Sequence, residues 1–184
     1  MCAKSWLVLL LLAAIIAAAP ALAQQSGRLA VVADVGMIKP FLEHPNAPRF
    51  ETETDLAFGG HVEYGITDRV GVQMGLLWSN QQVRTSERLY NEMTIEELNT
   101  MLRWNILFGQ FEPYLMAGVN YYFFNLEPPL EDTNDIGATF GLGIEATLTD
   151  HFSVGLAARY GYVFASAFDS AQIVSAVGTL AWRF

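Results

Sequence analysis

Apolar side chains recur at every second residue through most of this chain, and that period belongs to β-strands. The last twelve residues, Ile173 to Phe184, show it plainly. Val174, Ala176, Gly178, Leu180, Trp182 and Phe184 share one face, while Ile173, Ser175, Val177, Thr179, Ala181 and Arg183 share the other. The first face is apolar and closes with two aromatics. Asp135 to Leu148 repeats the pattern, with Ile136, Ala138, Phe140, Leu142, Ile144, Ala146 and Leu148 set against Gly137, Thr139, Gly141, Gly143, Glu145 and Thr147. A terminal strand with an outward aromatic suits a barrel whose last strand closes on its first and whose outer face meets lipid.

The N-terminus fits export. Lys4 precedes an apolar run from Trp6 to Ala19, Pro20 breaks it, and Ala21-Leu22-Ala23 is a small-x-small cleavage site. Residues 1–23 are therefore expected to be a cleaved signal peptide, and 24–184 a single barrel domain beginning at Gln24. The run is short for a retained membrane anchor, for which about 20 residues are typical. Cys2 would leave with the peptide, and with it all disulfide and thiol chemistry. Without Lys4, nine basic residues face 19 acidic ones, a net charge of −10. Such a chain would be repelled by phosphates, which argues against nucleic acid as a partner. No stretch after Ala23 has about 18 consecutive apolar residues, so no transmembrane helix is expected. A barrel reconciles export with apolar composition, because only alternate residues face lipid.

In chain order, strands are expected at Arg28 to Ile38, Asp55 to Ile66, Arg69 to Gln81, about Leu98 to Phe108, Glu112 to Phe124, Asp135 to Leu148, Phe152 to Phe164, and Ile173 to Phe184. The segment Thr94-Ile95-Glu96-Glu97 has the form of a helix capping box. Leu98, Thr100, Leu102, Trp104 and Ile106 alternate cleanly beyond it, so a strand is expected there with a helical turn before it. Three connections are short turns: Thr67-Asp68, Gly109 to Phe111, and Thr149 to His151. They alternate with four longer loops: Lys39 to Thr54, Gln82 to Met93, Asn125 to Asn134, and Ala165 to Ala171. The segments Tyr64 to Asp68 and Ala146 to Asp150 read as one structural task performed twice.

The Gly-Ile-Thr-Asp-Arg-Val-Gly-Val hairpin at Gly65 to Val72, the Leu-Thr-Asp-His-Phe-Ser-Val-Gly hairpin at Leu148 to Gly155, the signal sequence and the terminal Phe184 carry a resemblance. Over its whole mature length the chain resembles the small eight-stranded outer-membrane β-barrels, the group of the OmpA transmembrane domain, OmpX and OmpW. The resemblance implies an all-β, antiparallel, up-and-down transmembrane barrel in the bacterial outer membrane of a Gram-negative cell envelope. It implies termini and short turns in the periplasm and four long loops outside. It further implies contact with outer-membrane lipid and lipopolysaccharide, and recognition of the Phe184 strand by the barrel-assembly machinery. A monomer is expected. The fold alternative is a soluble barrel of the lipocalin kind, with its apolar face inside and a densely charged face in water.

The inward face carries Asp34, Glu63, Arg103, Glu145 and Arg159, with His61 and Gln73. Eight strands leave an interior about wide enough for side chains to fill. Buried charges are costly alone, so these are expected to pair. The expected pairs are Arg103 with Glu63 and Glu145, and Arg159 near Glu145. The cluster is either a polar plug or a gate in which an arginine changes partner. The inward glycines either make room for long side chains or leave a thin water path.

No catalytic constellation emerges, and no enzyme activity, cofactor or metal is expected. His151-Phe152-Ser153 is similar to the His-x-Ser motif of outer-membrane lipid A deacylases, but Val154 stands where those enzymes carry asparagine, and the motif lies in a turn. His44, His61 and His151 are too scattered for a transition-metal site. Trp78, Trp104, Tyr121, Tyr160, Tyr162, Trp182 and Phe184 fit interfacial girdles; a ligand platform is the alternative. The long loops are acidic, at Glu43, Glu51, Glu53, Glu87, Glu92, Glu96, Glu97, Glu127, Glu131, Asp132 and Asp169. They form a solvated rim or bridge to lipopolysaccharide through divalent cations, although none has a spaced calcium motif. The reading is a structural or surface-interaction barrel with a largely plugged lumen. A narrow channel for small solutes or apolar molecules comes next, and a lipid-modifying enzyme third.

Overall fold

The computed structural model describes residues 28–43, 51–84, 90–106, 109–126, 133–164 and 170–184. The expected signal peptide, His44, Phe108, Glu87, Glu127, Glu131, Asp132 and Asp169 lie outside them, as do the side chains of Glu43 and Glu51. Eight long strands follow in order: β1 (Leu29–Glu43), β2 (Asp55–Gly65), β3 (Val70–Arg84), β4 (Tyr90–Asn105), β5 (Phe111–Leu126), β6 (Thr133–Thr147), β7 (Phe152–Val163) and β8 (Ser170–Arg183). A two-residue strand, Glu51–Thr52, adds to the far end of β3.

Each strand pairs antiparallel with the next, and β8 pairs with β1 over fourteen residue pairs, from Ala30↔Arg183 to Glu43↔Ser170. The sheet is therefore closed. The soluble-barrel alternative fails on the direction of the pleat. Val35, Met37, Phe58, Met74, Leu102, Phe140, Leu142, Leu156 and Leu180 point outward, between 48% and 67% exposed. The charged residues Asp34, Arg103, Glu145 and Arg159 point inward, at 3–6%. Leu29, on the same face of β1 as Val35 and Met37 by alternation, is buried where the strand begins.

The twin turns use the same device. In the first, Ile66 N–H and Thr67 N–H donate to Val70 O at 2.8 and 3.0 Å, while Thr67 Oγ1 accepts from Arg69 N–H and Val70 N–H. In the second, Leu148 N–H and Thr149 N–H donate to Phe152 O at 2.9 and 3.1 Å, and Thr149 Oγ1 accepts from His151 N–H and Phe152 N–H. A threonine hydroxyl thus satisfies two turn amides that the ladder leaves open.

Two expectations need correction. The helical turn before β4 does not form, because β4 starts at Tyr90. Met93, Ile95, Glu97 and Asn99 alternate inward there, and Met93 pairs with Gln81 on one side and Leu126 on the other. A ladder on both sides satisfies backbone groups that an isolated turn would leave to water. The first two long loops are also shorter than expected. β1 continues through Pro40 to Glu43 against β8, and β3 pairs with β4 as far as Arg84↔Tyr90. The Pro40 carbonyl accepts a hydrogen bond from the Thr52 hydroxyl.

Candidate functional site

At the end bearing the short turns, four inward residues form a chain of alternating charge: Glu63 on β2, Arg103 on β4, Glu145 on β6 and Arg183 on β8. Arg103 Nη1 lies 2.8 Å from Glu63 Oε2 and 2.7 Å from Glu145 Oε2. Glu145 Oε1 is also paired with Arg183 Nη2. Glu63, Arg103 and Glu145 each stand two residues from the short-turn end of their strand, and Arg183 ends its own, so pleat and closure deliver all four to one level. Arg103 Nε donates to Asn105 Oδ1 at 2.8 Å, Gln73 Nε2 donates to Glu63 Oε2 at 3.3 Å, and the Tyr114 ring lies 4.0 Å below the guanidinium carbon. The charges balance, and each has more than one partner, the condition for holding ions out of water. Beneath them is a cavity of about 560 Å³ whose lining includes Arg28, Glu63, Asn105, Glu112 and Arg183.

Deeper in, Asp34 Oδ2 lies 2.8 Å from His61 Nδ1 and 3.9 Å from Arg159 Nη2. Arg159 is thus assigned to Asp34 and not to Glu145, correcting the expected pairing. Its register partner on β6 is Gly141, four residues further along that strand from Glu145, so it sits higher. Higher still, Glu97 Oε1 accepts from Asn99 Nδ2 at 3.2 Å and from Asn120 Nδ2 at 2.7 Å. Asn120 Nδ2 also reaches the Tyr122 hydroxyl at 3.0 Å. Glu97, expected in a solvated loop, is 3% exposed inside the barrel. Beyond it the interior is mostly apolar, at Ile38, Leu77, Met93, Ile95, Phe124, Val163 and Ile173, with Ser79, Gln81 and Asp135 as buried polar residues among them.

Arg183 and Glu97 are the members that the sequence reading missed. The signal for both was present. Arg183 is the last residue of the mixed face of the closing strand, and Glu97 continues the face of Met93 and Ile95. The inward glycines stand against large side chains. A Cβ on Gly143 would collide with the Tyr114 ring, and one on Gly161 would meet the Tyr122 hydroxyl at 2.5 Å.

The seven aromatic residues expected in the girdles all face outward, in two groups. Trp104, Trp182 and Phe184 lie at the short-turn end, 41–53% exposed. Trp78, Tyr121, Tyr160 and Tyr162 lie eight to ten residues along their strands, 37–44% exposed. His151 stacks on Trp182 with centroids 5.7 Å apart, and its Nδ1 lies 3.1 Å from the Arg183 carbonyl oxygen. Ser153 is fully buried on the inward face. The His-x-Ser pair is therefore not assembled as base and nucleophile. Of the described loop acids, Glu53 and Glu92 are exposed and Glu96 half-buried. Among the described residues, no three His, Cys, Asp or Glu side chains gather into a metal-binding group.

A closed antiparallel cylinder, apolar outside and charged inside, is the form of a β-barrel that spans a lipid bilayer. The chain belongs to the family described as outer membrane protein beta-barrel domain, which matches residues 9–184, and is thus a protein of the bacterial outer membrane. No curated protein matches the sequence. Among solved structures, the barrel is similar to Neisserial surface protein A, with a TM-score of 0.70 and 12% identity over 86% of this chain and 100% of that one. It is also similar to OprG of Pseudomonas aeruginosa (TM-score 0.60, 15% identity, covering 86% and 96%). A third is Ail, the attachment invasion locus protein of Yersinia pestis (TM-score 0.57, 12% identity, covering 87% and 100%). At these identities the likeness is one of fold.

Proposed function

We propose that the protein is a structural or surface-interaction barrel whose lumen is closed to solutes. The observation that carries this reading is the filled interior. Tyr122, Phe124, Ile38, Leu77, Met93 and Ile95 are all below 2% exposure, and the charge chain crosses the other end. Arg103 holds both carboxylates at once through Nη1, which favours a fixed plug over a partner-switching gate. The short turns and both termini face the periplasm and the long connections face outward, as in barrels of this class. The two aromatic groups then sit at the two membrane interfaces, and lipid and lipopolysaccharide cover the apolar band between them. The terminal strand with Phe184 is the segment offered to the barrel-assembly machinery. The barrel works as a monomer.

The test is single-channel recording of the purified, refolded barrel in a planar bilayer. Silence is expected. Steady conductance would replace this reading with the narrow channel, for which the polar cavity beneath the charge chain is the structural argument. A lipid-modifying activity would alter lipid A in cells carrying the protein, and mass spectrometry is expected to find it unchanged.

A further inference from the structure

Two charged side chains at the short-turn mouth of the barrel stand outside the charge chain. Arg28, at the foot of β1, and Glu112, at the foot of β5, both line the cavity of about 560 Å³. Neither forms an ion pair with another described residue. Neighbours around the wall follow chain order, so β1 and β5 are opposite walls. The cavity therefore carries an unmatched cation on one side and an unmatched anion on the other.

The surroundings sharpen both charges. Arg28 is two residues from Ala30, the register partner of Arg183, so a second guanidinium belongs to the same sector of wall. Glu63, the partner of Ala30 on the other side, is already held by Arg103 and leaves Arg28 unmatched. Glu112 is the register partner of Glu145. Like charges directly opposite in a sheet repel. Arg103 and Arg183 compensate Glu145, and no described cation compensates Glu112. Asp68, also in the lining, is exposed in the first threonine turn.

A simple anion would suit Arg28 but meet Glu112, and a simple cation would meet the reverse. A molecule with one charge of each sign answers both. The cavity volume falls within the roughly 300–1,000 Å³ of small-molecule sites, and the cavity lies inside the wall, where it is reached from water and not from the lipid face. We propose that this mouth binds a zwitterion of peptide chemistry, a short peptide with both ends free, its carboxylate on the Arg28 guanidinium and its ammonium group on Glu112. A guanidinium offers a carboxylate two parallel donors, which fixes the direction of binding. The site goes beyond the closed-lumen reading and does not depend on it. Only the periplasmic source of the peptide rests on the orientation proposed with that reading.

NMR titration of the full barrel in lipid nanodiscs tests the site with three probes: dialanine, N-acetyl-dialanine, which lacks the ammonium group, and dialanine amide, which lacks the carboxylate. Each blocked peptide is expected to bind about tenfold more weakly than dialanine, the worth of one charge-assisted contact. Glu112→Gln is expected to abolish the preference for the free amine and keep that for the free carboxylate. Arg28→Gln is expected to do the opposite. Folding of each variant is checked by heat-modifiable migration. No binding of dialanine at millimolar concentration, equal binding of the three peptides, or preferences that survive both substitutions would overturn the site. In intact cells, Asp68→Cys is expected to escape a polyethylene-glycol maleimide too large to cross the outer membrane. Labelling there would overturn the periplasmic source and the orientation while the peptide preferences stood.

Discussion

Arg103 is the residue on which the lower interior turns, because it is 3% exposed and links two carboxylates while its guanidinium lies on Tyr114. Removing one member of such a buried network leaves uncompensated charge, a loss of about 3–5 kcal/mol. Arg103→Ala should lower the stability of the folded barrel by that amount in a denaturant titration against lipid vesicles. Glu63→Gln should cost less, since Glu63 is the more exposed partner and Glu145 keeps Arg103 paired. The Arg103 pairs were legible from sequence because Glu63, Arg103 and Glu145 share a count from the short-turn end. The same count places Arg159 seven residues into β7, well past the level of Glu145, but does not by itself single out Asp34. Glu97 was obscured by the capping-box spacing at Thr94 to Glu97, and only pairing on both sides of β4 shows that a strand wins there.

At the scale of elements, the periodicity defined all eight strands and the face of nearly every side chain, since a barrel wall has a different solvent on each side. It defined strand ends poorly. Where β1 and β3 rise past the apolar band, their outward residues turn polar, at Lys39, Asn80 and Gln82, and alternation no longer separates strand from loop. The two threonine turns were recognisable as a pair, and their geometry proves equivalent. Thr67→Ala and Thr149→Ala should each cost about 1 kcal/mol, the ordinary worth of a hydrogen bond. The turns share no partners, so the double variant should show the sum by equilibrium unfolding. The close approach of β6 to Tyr114 gives a further expectation. Gly143→Val should displace that ring from Arg103 and alter the near-ultraviolet dichroism of the folded barrel.

At the scale of the molecule, the outer face should respond to charge by depth. Leu142→Arg, in the middle of the apolar band, should cost about 2–4 kcal/mol, whereas Leu148→Arg, beside the second threonine turn, should cost about 0–1 kcal/mol. Equal costs in vesicle unfolding would mean that the band is not centred where the aromatic groups place it. The charge chain bears on the whole molecule in a further way. It draws one link from each of β2, β4, β6 and β8, and its last link, Arg183, lies at the end of the final strand. A barrel still waiting for β8 has Glu145 short of one cation and the β1 edge unpaired along fourteen positions. Closure repairs both deficits in a single step. The interior electrostatics thus act as a completeness check on assembly: only a cylinder that has received its entire wall has this four-residue chain in charge balance.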